Sequence, residues 1–90
     1  MYRFFTEYVP AHRKRVTAVL DKMIDGYTLY TAVGSWKGKQ ERAWIVEVID
    51  ELLTRPKAKK LAEKIRSVNK QECVLVQHVP NTSFMVGDLS

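Results

Sequence analysis

Gly26–Asp50, GYTLYTAVGSWKGKQERAWIVEVID, decides how the whole chain is read. Two runs rich in β-branched and aromatic residues, Tyr27–Val33 and Arg42–Asp50, flank a segment that holds Gly34 and Gly38. That pattern predicts a hairpin whose loop spans Gly34–Gln40, with both glycines supplying φ > 0. In the second run Ala43, Trp44, Ile45, Val46, Val48 and Ile49 are nearly continuous in apolar content, which predicts burial on both faces. Tyr27, Tyr30, Trp36 and Glu41 stand around the loop. Rings, a carboxylate and two glycines at one corner exceed what a small core requires. They suggest a pocket for a flat, partly cationic small molecule.

On either side of the hairpin the periodicity changes. Tyr2–Val9 is aromatic and β-rich, and Pro10 ends it. From Ala11 to Asp25 the apolar residues Val16, Val19, Leu20, Met23 and Ile24 recur at helical spacing, with Gly26 expected as the C-terminal cap. A second helix is expected from Thr54, with Pro56 in its first turn and Ala58, Leu61, Ala62, Ile65 and Val68 on its buried stripe. Asn69–Glu72 break it, Cys73–Val79 reads as a strand, and Ser83–Val86 as a short final one. The order is β-α-β-β-α-β with an extra C-terminal strand. That order predicts an α+β, ferredoxin-like sandwich, one domain over residues 1–90. Two helices cover one face of its antiparallel sheet. The other face would expose aromatic and β-branched side chains, for which oligomerisation is the usual remedy.

Composition narrows the function classes. No apolar run approaches the ~20 residues of a membrane span. The start, MYRFFTEYV, has neither the apolar stretch nor the cleavage site of a signal peptide. One cysteine, Cys73, forms no internal disulfide and suits a reducing cytoplasm, and it reads as a small buried hydrophobe. Two distant histidines and one cysteine make a structural zinc site unsuited to this chain. Fifteen Lys and Arg against ten Asp and Glu give a net charge of +5. The cations concentrate in His12–Arg15 and between Arg55 and Lys70, on what would be the solvent sides of the helices. Ferredoxin-like sheets can stack bases, but the aromatic RNA-recognition strand signature occurs nowhere in the chain. Nucleic acid is therefore not the expected partner, nor is a membrane.

Conventional catalytic sets are missing from the sequence. Cys73 and His78 stand five residues apart on one expected strand, hence on opposite faces. His12 lies among cations and reads as a surface residue. The GSWKG segment lacks the GxxxxGK[ST] spacing of a phosphate loop. Tyr30 and Glu41 remain, eleven residues apart across the hairpin and able to line one cleft. A plain cross-strand surface pair is the simpler account of the same spacing.

The hairpin GYTLYTAVGSWKGKQE and the late segment ECVLVQHVPNTSFMVG resemble the small phage-encoded S-adenosylmethionine lyases, formerly labelled hydrolases. Together these segments cover a little over a third of the chain. The resemblance implies a PII-like (GlnB-like) sandwich assembled as a homotrimer, with substrate held between subunits. It also implies an active-site tyrosine and glutamate, which map onto Tyr30 and Glu41. Thr28, Ser35, Trp36 and His78 would then contact the substrate, and no metal or other cofactor would be required. The activity implied is conversion of S-adenosyl-L-methionine to 5′-methylthioadenosine and L-homoserine lactone, in the host cytoplasm if the chain is phage-encoded. Lowering S-adenosylmethionine there would counter host restriction. Two other classes stay open, the first of which would have the same fold. One is a trimeric PII-like module that binds an adenine nucleotide without consuming it, normally with a longer mobile loop. The other is a small nucleic-acid-binding or host-inhibiting protein.

Overall fold

Pairing between strands far apart in sequence sets the architecture. The computed structural model describes residues 1–79, apart from the side chain of Trp36. In chain order it contains β1 (Tyr2–Glu7), a single 3-10 turn (Pro10–His12), α1 (Arg13–Met23), β2 (Thr28–Trp36), β3 (Lys39–Val48), a second 3-10 turn (Asp50–Leu52), α2 (Arg55–Asn69) and β4 (Leu75–His78). The four strands form one antiparallel sheet in the order β2-β3-β1-β4, with both helices on one face. This is the ferredoxin-like α+β sandwich that the element order predicts. The expected strand Ser83–Val86 lies outside the described residues.

Side chains alternate across the sheet, so each strand splits into two sets. Tyr2, Phe4, Trp44, Val46 and Val48 face the helices and meet Val16, Leu20, Ala58, Leu61 and Ile65 in the buried core. Burial of this apolar surface is the main force that holds the two layers together. Thr54 caps α2 by accepting a bond from the Lys57 amide at 3.4 Å, and Pro56 sits in the first turn, where its missing N–H costs nothing.

A buried polar clasp ties the far end of α2 to β1. The Asn69 amide donates to the Glu7 carbonyl at 3.0 Å, to Gln71 Oε1 at 2.5 Å and to Thr6 Oγ1 at 3.2 Å. The Thr6 hydroxyl donates to Gln71, whose own amide donates to the Cys73 carbonyl at 2.6 Å. His12 joins through Nδ1, 3.1 Å from Asn69 Oδ1, so it has a partner that the sequence does not reveal.

Four local expectations are corrected. The hairpin loop is not Gly34–Gln40 but a two-residue turn, Lys37–Gly38, with φ of 50° and 77°. Both strands run to it, because backbone pairing continues through polar residues that carry no apolar pattern. Gly34 lies inside β2 opposite Glu41 and does not have a positive φ. Gly26 does not cap α1, since the helix stops when Ile24 turns extended and buries its side chain. Cys73 is exposed, lying before β4 begins, and its carbonyl accepts from the Gln71 amide.

Candidate functional site

The face of the sheet turned away from the helices is organised in rows that cross the strands. One row is polar: Thr28, Glu47, Arg3 and Gln77, successive partners on β2, β3, β1 and β4. The next is apolar: Tyr30, Ile45, Phe5 and Leu75. A third holds Ala32, Ala43 and Glu7, and beyond it Gly34 faces Glu41. Within the apolar row Ile45 is only 4% exposed, because Tyr30 and Phe5 flank it, whereas Leu75 is 58% exposed and Tyr30 40%.

Tyr30 stands where these two rows meet. Its hydroxyl donates to Glu47 Oε2 at 3.2 Å, and the same oxygen accepts from Arg3 Nε at 2.8 Å. The diagonal reach from Tyr30 past Ile45 to Glu47 is the spacing that aromatic side chains span on a sheet. The phenol is pushed above its ordinary 10.0, first by desolvation, then by the hydrogen bond to Glu47 and that carboxylate's charge, with Arg3 opposing.

Glu41 shares this face with Tyr30, four residues along β3 from Ile45, the residue opposite Tyr30. At roughly 3.3 Å per residue that is about 13 Å, too far for contact within one subunit. Glu41 is exposed and makes no hydrogen bond or ion pair among the described residues. Thr28, opposite Glu47, belongs to the Tyr30 face. Ser35, opposite Gln40, falls on the other face of the hairpin, and Trp36 is the last residue of β2, opposite Lys39.

His78 is on the helix side of the sheet, remote from Tyr30. Its ring stacks on Tyr2 at 4.3 Å between centroids, and Nε2 lies 2.9 Å from Asp50 Oδ1. The Met1 ammonium donates to the same Asp50 oxygen at 2.7 Å. That bond is the main cause of the lowered Asp50 pKa; burial opposes it and His78 adds to it. Beside this cluster a cavity of about 560 Å³ opens between α2 and β4, lined by Tyr2, Arg55, Ala58, Lys59, Val76 and His78 among others. The six candidate residues are thus divided: Tyr30, Thr28 and Glu41 on the open face, Ser35 and His78 on the reverse, Trp36 at the end of β2.

Glu47 and Arg3 are the residues that the sequence reading missed. A signal for Glu47 was present. It is a lone carboxylate inside the apolar run from Trp44 to Ile49, where an ionised group needs a partner. Among the described residues no group of three His, Cys, Asp or Glu is arranged to hold a metal ion. No helix there is long and apolar enough to cross a membrane.

Fold and sheet order together define a PII-like sandwich. Solved structures of that kind superpose on nearly the whole chain. The PII-like protein CutA from Nostoc sp. PCC 7120, in apo form, has a TM-score of 0.56 at 20% identity, covering 94% of this chain and 86% of its own. The periplasmic divalent cation tolerance protein CutA from Archaeoglobus fulgidus has a TM-score of 0.54 at 11% identity, with coverage of 93% and 85%. No protein-family model and no curated protein matches the sequence.

Proposed function

We propose that this chain is an S-adenosyl-L-methionine lyase, working as a homotrimer whose subunits meet over the open sheet faces. The observation that carries this reading is the placement of Tyr30 and Glu41 on one exposed sheet face of a PII-like sandwich. The hairpin resemblance attaches the activity to those two residues. The exposed apolar row from Tyr30 to Leu75 supports association, because a second copy would remove it from water. Glu41, about 13 Å from Tyr30 in its own subunit, would reach substrate from one side of a site shared between copies.

The reaction asks little of the protein. The methionine carboxylate attacks Cγ, a C–O bond forms, the Cγ–S bond breaks, and its electron pair passes to sulfur. 5′-Methylthioadenosine leaves as a neutral thioether, and L-homoserine lactone keeps the ammonium. No proton is transferred and no external nucleophile is consumed. One positive and one negative charge disappear together, so a dehydrated, partly aromatic pocket favours the transition state over the ground state. Holding the methionine chain curled supplies the rest, by presenting carboxylate to Cγ. In this reading Tyr30 flanks the sulfonium, and Glu41 holds the ammonium or the ribose hydroxyls. Thr28 lies on the same face for the polar end of the substrate.

The two-residue turn at Lys37–Gly38 leaves no long loop between β2 and β3 that would favour a nucleotide-sensing regulator. The test is proton NMR of the purified protein with S-adenosylmethionine and a chelator, against a protein-free control. Methylthioadenosine and homoserine lactone are expected in equal amounts. Substrate decaying at the control rate would refute the lyase reading.

A further inference from the structure

Arg55, Ala58, Lys59 and Ala62 recur at three- and four-residue spacing along α2, so they share one side of that helix. Ala58 and Ala62 are too small to fill the gap between this side and Val76 of β4. The cavity of about 560 Å³ opens there, with Tyr2 and His78 on its sheet side. Its volume is within the roughly 300–1,000 Å³ of small-molecule sites. We infer that this cavity binds the phosphate monoester of a flat, largely apolar molecule. The inference is independent of the lyase reading, because the cavity is on the helix side of the sheet, away from Tyr30.

Charge selects the head of the ligand. Arg55 and Lys59 are exposed at the cavity and make no hydrogen bond or ion pair among the described residues. The carboxylates nearby are already matched. Glu63, which also lines the cavity, pairs with Arg66 at 3.2 Å. Asp50, beside His78, takes the Met1 ammonium at 2.7 Å and His78 Nε2 at 2.9 Å. Two unmatched positive charges remain, and a phosphate monoester carries about −1.5 to −2 near neutral pH. The planar fork of Arg55 suits two phosphate oxygens, and the Lys59 ammonium suits the third. A carboxylate would leave one of these cations without a partner. The rest of the lining selects the body. Ala58, Ala62 and Val76 offer methyl groups and no polar side chain, which suits an apolar ring. His78 stacks on Tyr2 with centroids 4.3 Å apart and an interplanar angle of 13°. Its side chain stays 54% exposed, so the outer face of the imidazole is open to a further ring.

The experiment titrates the protein with phenyl phosphate, inorganic phosphate and benzoate by isothermal calorimetry at one fixed ionic strength, since exposed charges are screened by salt. Circular dichroism verifies that each variant is folded. Phenyl phosphate is expected to bind about 10-fold or more tightly than inorganic phosphate, which lacks the ring. Benzoate, which keeps the ring and carries a single charge, is expected to bind more weakly than phenyl phosphate. Arg55→Gln and Lys59→Gln should each weaken phenyl phosphate by about 10-fold, the scale of one charge-assisted hydrogen bond. Ala62→Phe, which fills the cavity from α2, should abolish binding. Lys60→Gln, on the same helix but outside the lining, should leave it unchanged within about 2-fold, because the charge it removes is exposed and screened. Arg55 and Lys59 are exposed, so their variants test the site whether or not Ala62→Phe folds. Phenyl phosphate that shows no binding at millimolar concentration overturns the inference. So does inorganic phosphate or benzoate that binds as tightly, or Lys60→Gln that weakens binding as much as Lys59→Gln, which would reduce the site to a diffuse cationic surface. Turnover of S-adenosylmethionine is not the readout, so the lyase reading and this site stand or fall separately.

Discussion

Replacing Asn69 with alanine should cost this domain about 3 kcal/mol, from two or three buried hydrogen bonds at ~1 kcal/mol each and a cavity of a few atoms. Asn69 is 1% exposed, and its amide hydrogens serve the Glu7 carbonyl, Gln71 Oε1 and Thr6 Oγ1, while Oδ1 faces His12 Nδ1. Alanine removes the donor to the Glu7 carbonyl in a place that water does not reach easily, and leaves Gln71 Oε1 with only the Thr6 hydroxyl and the Glu7 amide. A domain of this length has a total stability of roughly 5–13 kcal/mol, so the loss is a large fraction of it. In urea, with a slope near ~1 kcal/mol/M, the midpoint should fall by about 3 M, measured at one fixed protein concentration because association adds to stability. His12→Ala removes only a half-buried contact at the rim and should cost under about 1 kcal/mol. The comparison guards against a general sensitivity of this corner. If Asn69→Ala lowered the midpoint by no more than His12→Ala, the clasp would not be what fixes α2 on β1.

Three further outcomes follow from particular residues. Gly38→Ala should destabilise the hairpin by ~1 kcal/mol in a urea or thermal melt, because φ at Gly38 is 77°, where a Cβ is strained even though open space surrounds it. Tyr27 is pushed up to about 12, first by burial and then by the bond its hydroxyl donates to Asp21 at 2.7 Å. A raised tyrosine stabilises fully below the ordinary value of 10.0 and loses that contribution as pH climbs from there through about 12. Ultraviolet titration of Asp21→Asn should therefore find Tyr27 lower but still above 10.0, since burial remains; an unchanged value would discount the Asp21 bond. For Asp50 the sign is opposite. Its carboxyl is held below the ordinary 3.8, so its contribution is present above that pH and lost as pH falls through the lower folded value. Asp50→Asn should flatten the acid limb of a stability–pH curve below about pH 4, the carboxylate range, and leave the limb near pH 10 untouched.

The element order was legible because α1, α2 and the run from Trp44 to Val48 each bury one regular set of side chains. Boundaries failed where backbone, not side chains, sets the structure. Ser35, Lys39 and Gln40 are exposed and carry no pattern, yet they pair across the hairpin. Lys37 at φ 50° is not a residue that announces a left-handed turn, so only Gly38 of that pair gave notice. Ile24 continues the helical spacing of Val16, Leu20 and Met23, yet it is an extended residue that buries its side chain from beyond the helix end. At the site, strand alternation alone puts Tyr30, Thr28 and Glu41 on one face and Ser35 on the other. What alternation cannot give is the neighbour on the next strand. Arg3 meets Glu47 only because β1 lies between β3 and β4, a pairing across 44 residues of sequence. His78 went astray for the same reason, since its partners Tyr2 and Asp50 come from distant segments.

Charge is distributed unevenly over the two sides of the sheet, and that bears on what each side can bind. Register places Arg3 and Lys39 on the open face with Glu7, Glu41 and Glu47, a net charge of −1 in a chain of +5. The clustered cations Arg13, Lys14 and Arg15 and those between Arg55 and Lys70 are exposed on the helix layer, away from the aromatic face. A nucleic-acid site would need stacking rings and phosphate-binding cations on one surface, and here they are on opposite ones. A small cation is the ligand that the open face suits. Strong negative charge there would bind S-adenosylmethionine tightly but hold it in its charged ground state, which raises the barrier to a reaction that consumes charge. Under the proposed lyase reading, the Arg3–Glu47 pair avoids that difficulty. Arg3 Nε lies 2.8 Å from Glu47 Oε2, and its charge offsets much of the field that the carboxylate would impose on a bound sulfonium. Arg3→Met should therefore tighten binding of the sulfonium and slow its conversion. A fall in both affinity and turnover would instead assign Arg3 to contact with the substrate carboxylate.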